Sequence, residues 1–461
     1  MRKKLMRPGF VVLFVGSTLF LSFGFLQSDE RLRIAKEMES SVRNELLNKW
    51  YPRSVDTLAG GFLTTFTYDF KSTGPQDKMI VTQARHVWTN AKASLHYPAV
   101  GYYKTSAQHG FQFLKDVMWD KANGGFYTLV DRQGRVRNTD SLKTAYGNAF
   151  GIYALSAYYA ASRDTAALTL AKQAFMWLEN GSHDPVYKGY YQHLNRQGKP
   201  IFRQPTVSST SDLGYKDQNS SIHLLEAFTE LYAVWPDELV RTRLQEMLNL
   251  IRDKITSTKG SLVLFFQPDW KPVSFKDSTE SSIVKHRNLD HVSFGHDVET
   301  AFLMLEASHA LGIQNDTKTL TVAKRMVDHA LLNGWDSKNG GFFDEGYYFK
   351  NKAGITIIKD SKNWWAQAEG LNTLLLMSDL FPDDKMQYFQ KFKQLWNYAQ
   401  TYLIDHEHGD WYEGGIDKEP HKKTALKGHI WKATYHQYRA LSSCIQQLRK
   451  PSLVRRTISS Q

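Results

Sequence analysis

The stretch Gly295-His-Asp-Val-Glu299 is the strongest candidate for chemistry in this chain. On a helix, the i, i+3 spacing places His296 and Glu299 on one face. A carboxylate in that position can orient the imidazole and raise its pKa toward neutrality, where histidine acts as a general acid or base. A structural histidine held by a neighbouring acid would show the same pattern, so the motif needs support from elsewhere in the chain.

Two further stretches carry histidines in comparable places. Asn219 and His223 are separated by four positions, with Glu226 close to one turn beyond, and His436 follows Tyr435 near the last apolar stretch. Because the three histidines occupy equivalent places in separate parts of the chain, a shared site explains them better than packing alone.

A metal centre is the main alternative use of these histidines. Two His-x-x-Glu units and a third histidine contain enough ligands for zinc or iron. However, the sequence has neither His-Glu-x-x-His nor another compact ligand cluster, and 16 histidines make chance pairs frequent. We therefore predict a site without a metal ion and without another cofactor.

The elements that must position these residues are helices, because apolar residues recur with a 3.6-residue period through most of the chain. The predicted helices cover residues 31–50, 79–97, 102–118, 142–161, 164–180, 217–234, 237–256, 292–311, 316–332, 361–380, 384–403 and 427–447. Short and long links alternate between them. The sequence therefore predicts an all-α fold of antiparallel helical hairpins.

The long links repeat one another, as in Trp119-Asp-Lys-Ala-Asn-Gly-Gly-Phe126 and Trp335-Asp-Ser-Lys-Asn-Gly-Gly-Phe342. Asn-Gly and Gly-Gly favour tight turns, and the aromatic residues after them are typical of short strands. A repeat of this kind indicates one closed assembly of equal units. We predict an (α/α)6 barrel, a ring of six hairpins with short β excursions in the long loops.

Polar and aromatic residues concentrate in the first turns of the helices that follow the long links. They are Arg85, Trp88, Lys143, Tyr146, Asn219, His223, Glu226, His296, Asp297, Glu299, Trp364, Trp365, Glu369, Trp431 and His436. If these helices form the inner wall, the side chains converge on one cavity. Arg85 is either an ion-pair partner or a donor to a substrate oxygen. Because Trp364 and Trp365 are adjacent and cannot share a helix face, we expect only one of them to stack on a sugar.

The N-terminal segment predicts export. Residues 1–28 contain the basic stretch MRKKLMR followed by the apolar run GFVVLFVGSTLFLSFGFL, which is typical of a signal peptide or an uncleaved membrane anchor. The body at 29–448 is predicted to be one catalytic domain with an extracytoplasmic location, periplasmic or secreted. Any membrane contact is expected only through the uncleaved segment. The one cysteine excludes an internal disulfide.

The formal net charge of +12 is concentrated at the two ends of the chain. Four basic residues lie in the first seven positions, and the tail at 449–461 carries four more without any acid, which leaves about +4 on the body. This small excess excludes a dedicated nucleic-acid surface. We expect a monomer or a homodimer whose partner is a mono- or oligosaccharide.

The chain resembles the N-acylglucosamine 2-epimerase superfamily, and within it the cellobiose 2-epimerases. The similar stretches are Arg85-His-Val-Trp-Thr89, Lys143-Thr-Ala-Tyr-Gly-Asn-Ala-Phe-Gly-Ile-Tyr-Ala-Leu-Ser156, Asn219-Ser-Ser-Ile-His-Leu-Leu-Glu-Ala227, Ser293-Phe-Gly-His-Asp-Val-Glu299, Trp364-Trp-Ala-Gln-Ala-Glu369 and Trp431-Lys-Ala-Thr-Tyr-His-Gln-Tyr-Arg-Ala440. They occur in the family order over nearly the whole body. The family fold is an (α/α)6 barrel, in agreement with the hairpin count.

The resemblance implies metal-free epimerisation at C2 of a reducing-end aldose through a cis-enediolate. It assigns His296 and His436 as the acid/base pair and Glu299 as the carboxylate that supports His296. By the same resemblance, Arg85 and His223 bind or polarise the oxygen that gains charge. The implied sugar contacts are Asn219, Tyr146, Trp364, Trp365, Trp431 and Glu369.

Three other functions remain open from the sequence. An aldose–ketose isomerase would use the same enediolate, and a carbohydrate-binding barrel would use the same cavity without turnover. An (α/α)6 glycoside hydrolase would need two carboxylates at the scissile bond. The carboxylates available for that role are Asp212, Asp297, Glu299, Glu345 and Asp410.

Overall fold

The computed structural model describes residues 29–137, 142–203 and 212–450. The predictions for residues 1–28 and for the tail from residue 451 onward lie outside these described residues. Within them, twelve long helices form the fold. No helix of this part of the chain is both long enough and apolar enough to cross a membrane.

The helices are numbered here in chain order. They are α1 (residues 29–40, continued by Ser41–Leu47 and Asn48–Trp50), α2 (Ile80–His96), α3 (Gly101–Phe113, continued by Leu114–Met118), α4 (Ala145–Ser162), α5 (Thr165–Gly181), α6 (Gln218–Val234), α7 (Glu238–Leu250, continued by Ile251–Ile255), α8 (Phe294–Ala310), α9 (Thr317–Asn333), α10 (Trp364–Leu380), α11 (Tyr388–Tyr398, continued by Ala399–Leu403) and α12 (Tyr435–Arg449). Short helices at Glu280–His286, Arg287–Leu289 and Pro420–Thr424 lie in the long loops.

The even-numbered helices form a closed inner ring. Each contacts the next, from α2 through α4, α6, α8 and α10 to α12, and α12 returns to α2. Each odd-numbered helix packs outside against its even neighbour in the chain, and α1 packs against α12. This arrangement confirms the predicted (α/α)6 barrel.

The two layers differ in how much of each helix is apolar. Inner helix α4 is buried at every position from Ala145 to Tyr158, because it contacts both the outer layer and the barrel interior. Outer helix α5 buries one face only, with Ala167, Leu170, Ala171 and Ala174 at helical spacing. A helix with one apolar stripe suits a place between the core and solvent.

Several inner helices begin a few residues later than predicted, because short antiparallel strands occupy the preceding positions. The strand pairs are β1 (Lys78–Met79) with β2 (Leu129–Val130), β3 (Lys143–Thr144) with β4 (His193–Leu194), β5 (Lys216–Asp217) with β6 (Phe265–Phe266), and β7 (Val292–Ser293) with β8 (Glu345–Tyr347), which also pairs with β9 (Thr356–Lys359). Each pair links one long loop to the next around the ring. Side chains of Thr144, Asp217 and Asn363 then cap the helices by accepting backbone N–H groups.

The last inner helix shows the largest difference from prediction, since α12 begins at Tyr435 and not near residue 427. Lys427 and Lys432 in the preceding loop reach Asp405 and Asp410, with Nζ–Oδ2 distances of 2.7 and 2.6 Å. These buried ion pairs hold the segment in turns. The expectation that Trp431 lies in the first turn of a helix is therefore wrong.

A buried lysine–aspartate pair closes several of the long loops. Lys143 Nζ donates to Asp120 Oδ2 at 2.9 Å, to the carbonyl of Gly124, and to the carbonyl of Arg196 in the next loop at 3.0 Å. The lysine side chain is 0% exposed. The prediction that Lys143 lines the cavity is wrong, because it joins two loops. The same arrangement occurs in the pairs Lys78–Asp56, Lys216–Asp184 and Lys362–Asp336.

We expect Lys143→Met to lower the free energy of unfolding by about 3 kcal/mol, because it leaves the buried Asp120 without its main counter-charge. Removing one partner of a buried ion pair typically costs about 3–5 kcal/mol. Arg196 Nε lies 3.1 Å from the same carboxylate, so we expect the loss to be near the lower end of that range. Urea unfolding followed by circular dichroism measures the change. The matched control is Lys121→Met, at an exposed lysine of the same loop. Equal stability of the two variants would contradict the structural role.

Candidate active site

The first turns of the inner helices and the loops before them enclose a cavity of about 200 Å³. Its lining residues are Arg85, Tyr146, Asn219, His223, His296, Glu299, Trp364, Trp365, Trp431 and His436. Every inner helix, or the loop before it, contributes to this wall. The structure thus brings together all the residues that the family resemblance assigns to the site except Glu369.

Each of the three histidines in the wall is held through its Nδ1 atom. The partners are Ser293 Oγ for His296 (2.8 Å), Glu226 Oε2 for His223 (2.9 Å) and Glu369 Oε1 for His436 (2.7 Å). A fixed Nδ1 sets the orientation of an imidazole and leaves Nε2 as the nitrogen for a substrate. The cavity therefore presents three imidazole rings that are already oriented.

Two predicted contacts of the acidic residues are wrong. Glu299 does not orient His296; its Oε1 accepts a hydrogen bond from Arg439 at 2.6 Å. Glu369, predicted to contact a sugar, is 0% exposed and lies behind His436. The i, i+3 spacing predicted a contact between Glu299 and His296, but a buried guanidinium attracts a carboxylate more strongly than a neutral imidazole does.

Arg439 is the residue that sequence reasoning missed. Its guanidinium is buried and contacts Glu226, Glu299 at 2.6 Å and Glu369 at 2.7 Å. It lies three positions after His436, just as Glu226 and Glu299 follow their histidines. In each of the three stretches that carry a cavity histidine, a charged residue therefore follows that histidine by three positions. The arginine in the third stretch is the counter-charge for the two glutamates in the others.

Glu226, the carboxylate of α6 that contacts Arg439, stays ionised. Burial alone would raise the pKa of Glu226, but Arg439 and His223 outweigh it and lower that pKa to about 2. For Glu369, burial raises the pKa, Arg439 opposes the rise, and Glu299 adds to it. Glu369 Oε1 and His436 Nδ1, 2.7 Å apart, are therefore placed to share a proton.

The two histidines assigned to proton transfer are neutral in this environment. Burial lowers the pKa of His296 to about 3, and the nearby His223 and His291 add to the effect. Burial likewise lowers the pKa of His436 well below its usual value, with contributions from Arg85 and Arg439. The expectation that Glu299 would raise the pKa of His296 is wrong, since that carboxylate is engaged by Arg439. A neutral imidazole has one ring nitrogen that accepts a proton and one that carries a proton.

Arg85 supplies a positive charge to the cavity wall. Its guanidinium donates to the Trp431 carbonyl at 2.8 Å and to Tyr146 Oη at 3.3 Å, and it lies 4.7 Å from the ring centroid of Phe150. No carboxylate among the described residues forms an ion pair with it, and it is 5% exposed. Of the two predicted roles, this geometry favours the donor to a substrate oxygen.

Aromatic rings shape the rest of the wall. The ring centroid of Trp365 lies 4.6 Å from that of His296 and 5.9 Å from that of His436. Trp364 also lines the cavity, with 7% of its surface exposed. That only one of the pair stacks on a sugar stays a prediction. Trp431 is 48% exposed and offers an accessible ring beside the cavity. These faces suit the apolar sides of a sugar ring.

Two members of the predicted first-turn cluster point away from the cavity. Trp88 stacks on Tyr153 within the wall, with ring centroids 5.3 Å apart. Asp297 is 0% exposed and accepts the backbone N–H of Leu262 at 2.9 Å. Both are structural residues beside the site.

One group in the described part of the chain has the composition of a metal site. Potential ligand atoms of Glu299, Glu369 and His436 lie within 4.8 Å of one another. Arg439 donates to both carboxylates, and Nδ1 of His436 is engaged by Glu369. The guanidinium therefore supplies the positive charge between these carboxylates.

We expect Arg439→Met to lower the free energy of unfolding by about 3–5 kcal/mol, because three buried carboxylates lose their shared counter-charge. Urea unfolding at neutral pH measures the change. Arg449→Met is the matched control, because Arg449 lies on the same helix and pairs with Glu39 at the surface. If both variants are equally stable, the buried guanidinium does not hold the site together.

Known proteins resemble this chain over most of its length. A Bacteroides fragilis protein named cellobiose 2-epimerase is 28% identical over 431 residues, covering 91% of this chain and 99% of that protein. A Marinomonas mediterranea protein named D-mannose isomerase is 24% identical over 411 residues, covering 88% and 94%.

A solved structure gives the same result for the fold. The cellobiose 2-epimerase of Bacillus thermoamylovorans matches with a TM-score of 0.77 at 25% identity, covering 90% of this chain and 99% of that one. The sequence profile of the N-acylglucosamine 2-epimerase (GlcNAc 2-epimerase) family matches residues 61–440, which confirms the resemblance seen in the motifs. This chain belongs to the N-acylglucosamine 2-epimerase family and is a carbohydrate epimerase, an isomerase.

Proposed function

We propose that the protein inverts C2 of a reducing-end aldose, in a cellobiose- or mannobiose-type disaccharide or an N-acylglucosamine. One observation carries this proposal: two neutral imidazoles, each held through Nδ1, line the same cavity as an arginine that forms no ion pair with a described residue. Removal and return of a proton next to an aldehyde needs such a set.

The reaction begins with the open-chain sugar, whose C2 proton is acidic because the resulting charge spreads onto the aldehyde oxygen. In our proposal Nε2 of His296 removes this proton, and the cis-enediolate forms. The Arg85 guanidinium stabilises the oxygen that gains negative charge. His223, fixed by Glu226, lies in the same wall and binds or polarises a substrate oxygen.

Inversion requires that the proton returns to the opposite face of C2. His436 fits this step because its Nδ1 shares a proton with the buried Glu369. In this proposal His436 carries its ring proton on Nε2, and Glu369 carries the shared proton. When Nε2 gives its proton to C2, the shared proton moves from Glu369 Oε1 to Nδ1, so the ring stays neutral. The protonated His296 then releases a proton to solvent, and the pair of Glu369 and His436 takes one up. Glu369 is then a positioning residue, since it acts through His436.

An aldose–ketose isomerase is the second candidate, and the similarity to a D-mannose isomerase favours keeping it. It shares the enediolate and differs only in the carbon that receives the proton. Protonation at C1 gives the ketose, whereas protonation at C2 gives the epimer.

The arrangement of carboxylates argues against glycoside hydrolysis. Of the carboxylates available for that role, only Glu299 lines the cavity. Asp297 is bound to Leu262, and Asp410 forms a buried pair with Lys432. Hydrolysis needs two carboxyl groups facing the same bond.

We also propose that the enzyme works outside the cytoplasm, on the strength of the N-terminal basic and apolar segment. We expect it to be a monomer or a homodimer. N-terminal sequencing of the protein recovered from its native host distinguishes a cleaved signal peptide from a retained anchor.

We expect the wild-type protein to convert cellobiose to its C2 epimer with the glycosidic bond intact. His296→Ala and His436→Ala should each lower kcat by at least about 10²-fold, because each removes a group that transfers a proton. Chromatography of the products against authentic sugars measures both results. His309→Ala, at an exposed histidine of α8, is the matched control and should keep full activity. Activity that survives both cavity substitutions would contradict the proposal.

The low pKa of His296 gives the pH dependence a defined sign. The neutral form is the base, and it is lost only as the pH falls toward about 3. We therefore expect kcat/KM to stay near its maximum as the pH falls from 7 to about 5. At the lower of these values an ordinary imidazole would be mostly protonated. Circular dichroism at each pH checks that the fold persists. A half-maximal value near pH 6.5 in a folded enzyme would contradict this environment.

A further inference from the structure

A second cavity of about 580 Å³ lies among the long loops and shares no lining residue with the active cavity. Its walls come from the loop between α7 and α8 and from the β8–β9 hairpin. Cavities of this volume accommodate small ligands.

The cavity exists because this unit of the ring lacks the buried lysine–aspartate pair. In the four pairs described above, the lysine lies two positions before an inner helix, as Lys143 does before α4. The residue at the same position before α8 is Val292. In these pairs the aspartate directly follows a residue that forms an isolated β-bridge in its loop, as Asp120 follows Trp119. In the present unit the corresponding bridge residue is Thr256, and it is followed by Ser257. Ser257 and Val292 both line the cavity. Space that ion pairs fill elsewhere is therefore open here.

An acceptor in the wall of this cavity lacks a partner. Asp290 Oδ2 accepts the backbone N–H of Phe275 at 2.6 Å and the hydroxyl of Tyr347 at 2.9 Å. Its other oxygen, Oδ1, is buried and has no hydrogen-bond partner among the described residues. A buried carboxylate oxygen in this state favours a ligand that donates a hydroxyl.

Positive charge surrounds the opening. Four exposed lysines contribute to the wall, at positions 259, 276, 350 and 352, against one exposed acid, Asp277. Lys259 Nζ lies 4.0 Å from the ring centroid of Tyr348, and both residues line the cavity. We propose that this cavity is a second binding site, for an acidic saccharide unit such as a hexuronic acid: hydroxyls donate to Asp290, and the carboxylate meets the lysines.

The two cavities are separated by strand β7. Successive side chains of a strand point to opposite faces. Val292 accordingly lines the second cavity, whereas the next residue, Ser293, holds Nδ1 of the active-site His296. A ligand in the second cavity therefore does not need the catalytic residues, and this proposal stands or falls independently of the epimerase reaction.

Methyl β-D-glucuronide is a suitable probe, because a methyl glycoside cannot open to the aldehyde and cannot be turned over. Titration calorimetry with the full-length protein should detect binding, and methyl β-D-glucoside should bind at least about tenfold more weakly. Ser274→Trp, at an exposed serine of the cavity, should weaken glucuronide binding at least about tenfold by filling the space.

Trp431→Ala, which alters the active cavity only, should leave glucuronide binding unchanged. Asp290→Asn provides a second variant with nearly the same shape, and it should also weaken binding because it replaces the carboxylate. Absence of glucuronide binding, equal binding of both glycosides, or loss of binding in Trp431→Ala but not in Ser274→Trp would each overturn the proposal.

Discussion

The active site depends on one buried guanidinium. Arg439 of α12 contacts carboxylates from α6, α8 and α10, so four of the helices around the cavity meet at a single charge. Burying a carboxylate is strongly unfavourable unless a counter-charge and hydrogen bonds accompany it. With that condition met, Glu226 and Glu369 are free to orient His223 and His436.

The same guanidinium determines the electrostatic character of the cavity wall. Because it engages Glu299, no carboxylate in the described ranges bonds to His296, and burial keeps that imidazole neutral. On the other side of the cavity Arg85 has no counter-ion in the described part of the chain. A substrate therefore meets neutral bases together with an uncompensated positive charge, which favours a reaction that builds negative charge on oxygen. This is the basis for assigning enediolate chemistry to the site.

Much of the fold and of the site was predictable from the sequence, because the patterns that determine them are local along the chain. The 3.6-residue period and the repeated loops predicted the hairpins, and the phase of the polar residues predicted which helices face inward. Helix starts were less predictable, since the lysines that precede them, such as Lys143 and Lys432, form ion pairs with distant residues. The fate of Glu299 was unpredictable for the same reason: its partner Arg439 lies 140 positions away.

One unit of the ring departs from the repeated loop pattern. In the unit of α8 the loop-closing pair is replaced by Ser257 and Val292, and a cavity takes its place beside the helix that carries His296. Strand β7 contributes Val292 to this cavity and Ser293 to the support of His296.

The most direct test of the account is the reaction in heavy water. If the neutral imidazoles exchange the C2 proton, epimerised cellobiose should carry one solvent deuterium at C2 with its glycosidic bond intact, as read by nuclear magnetic resonance. Epimer without deuterium at C2, or cleavage of the disaccharide without exchange, would contradict it.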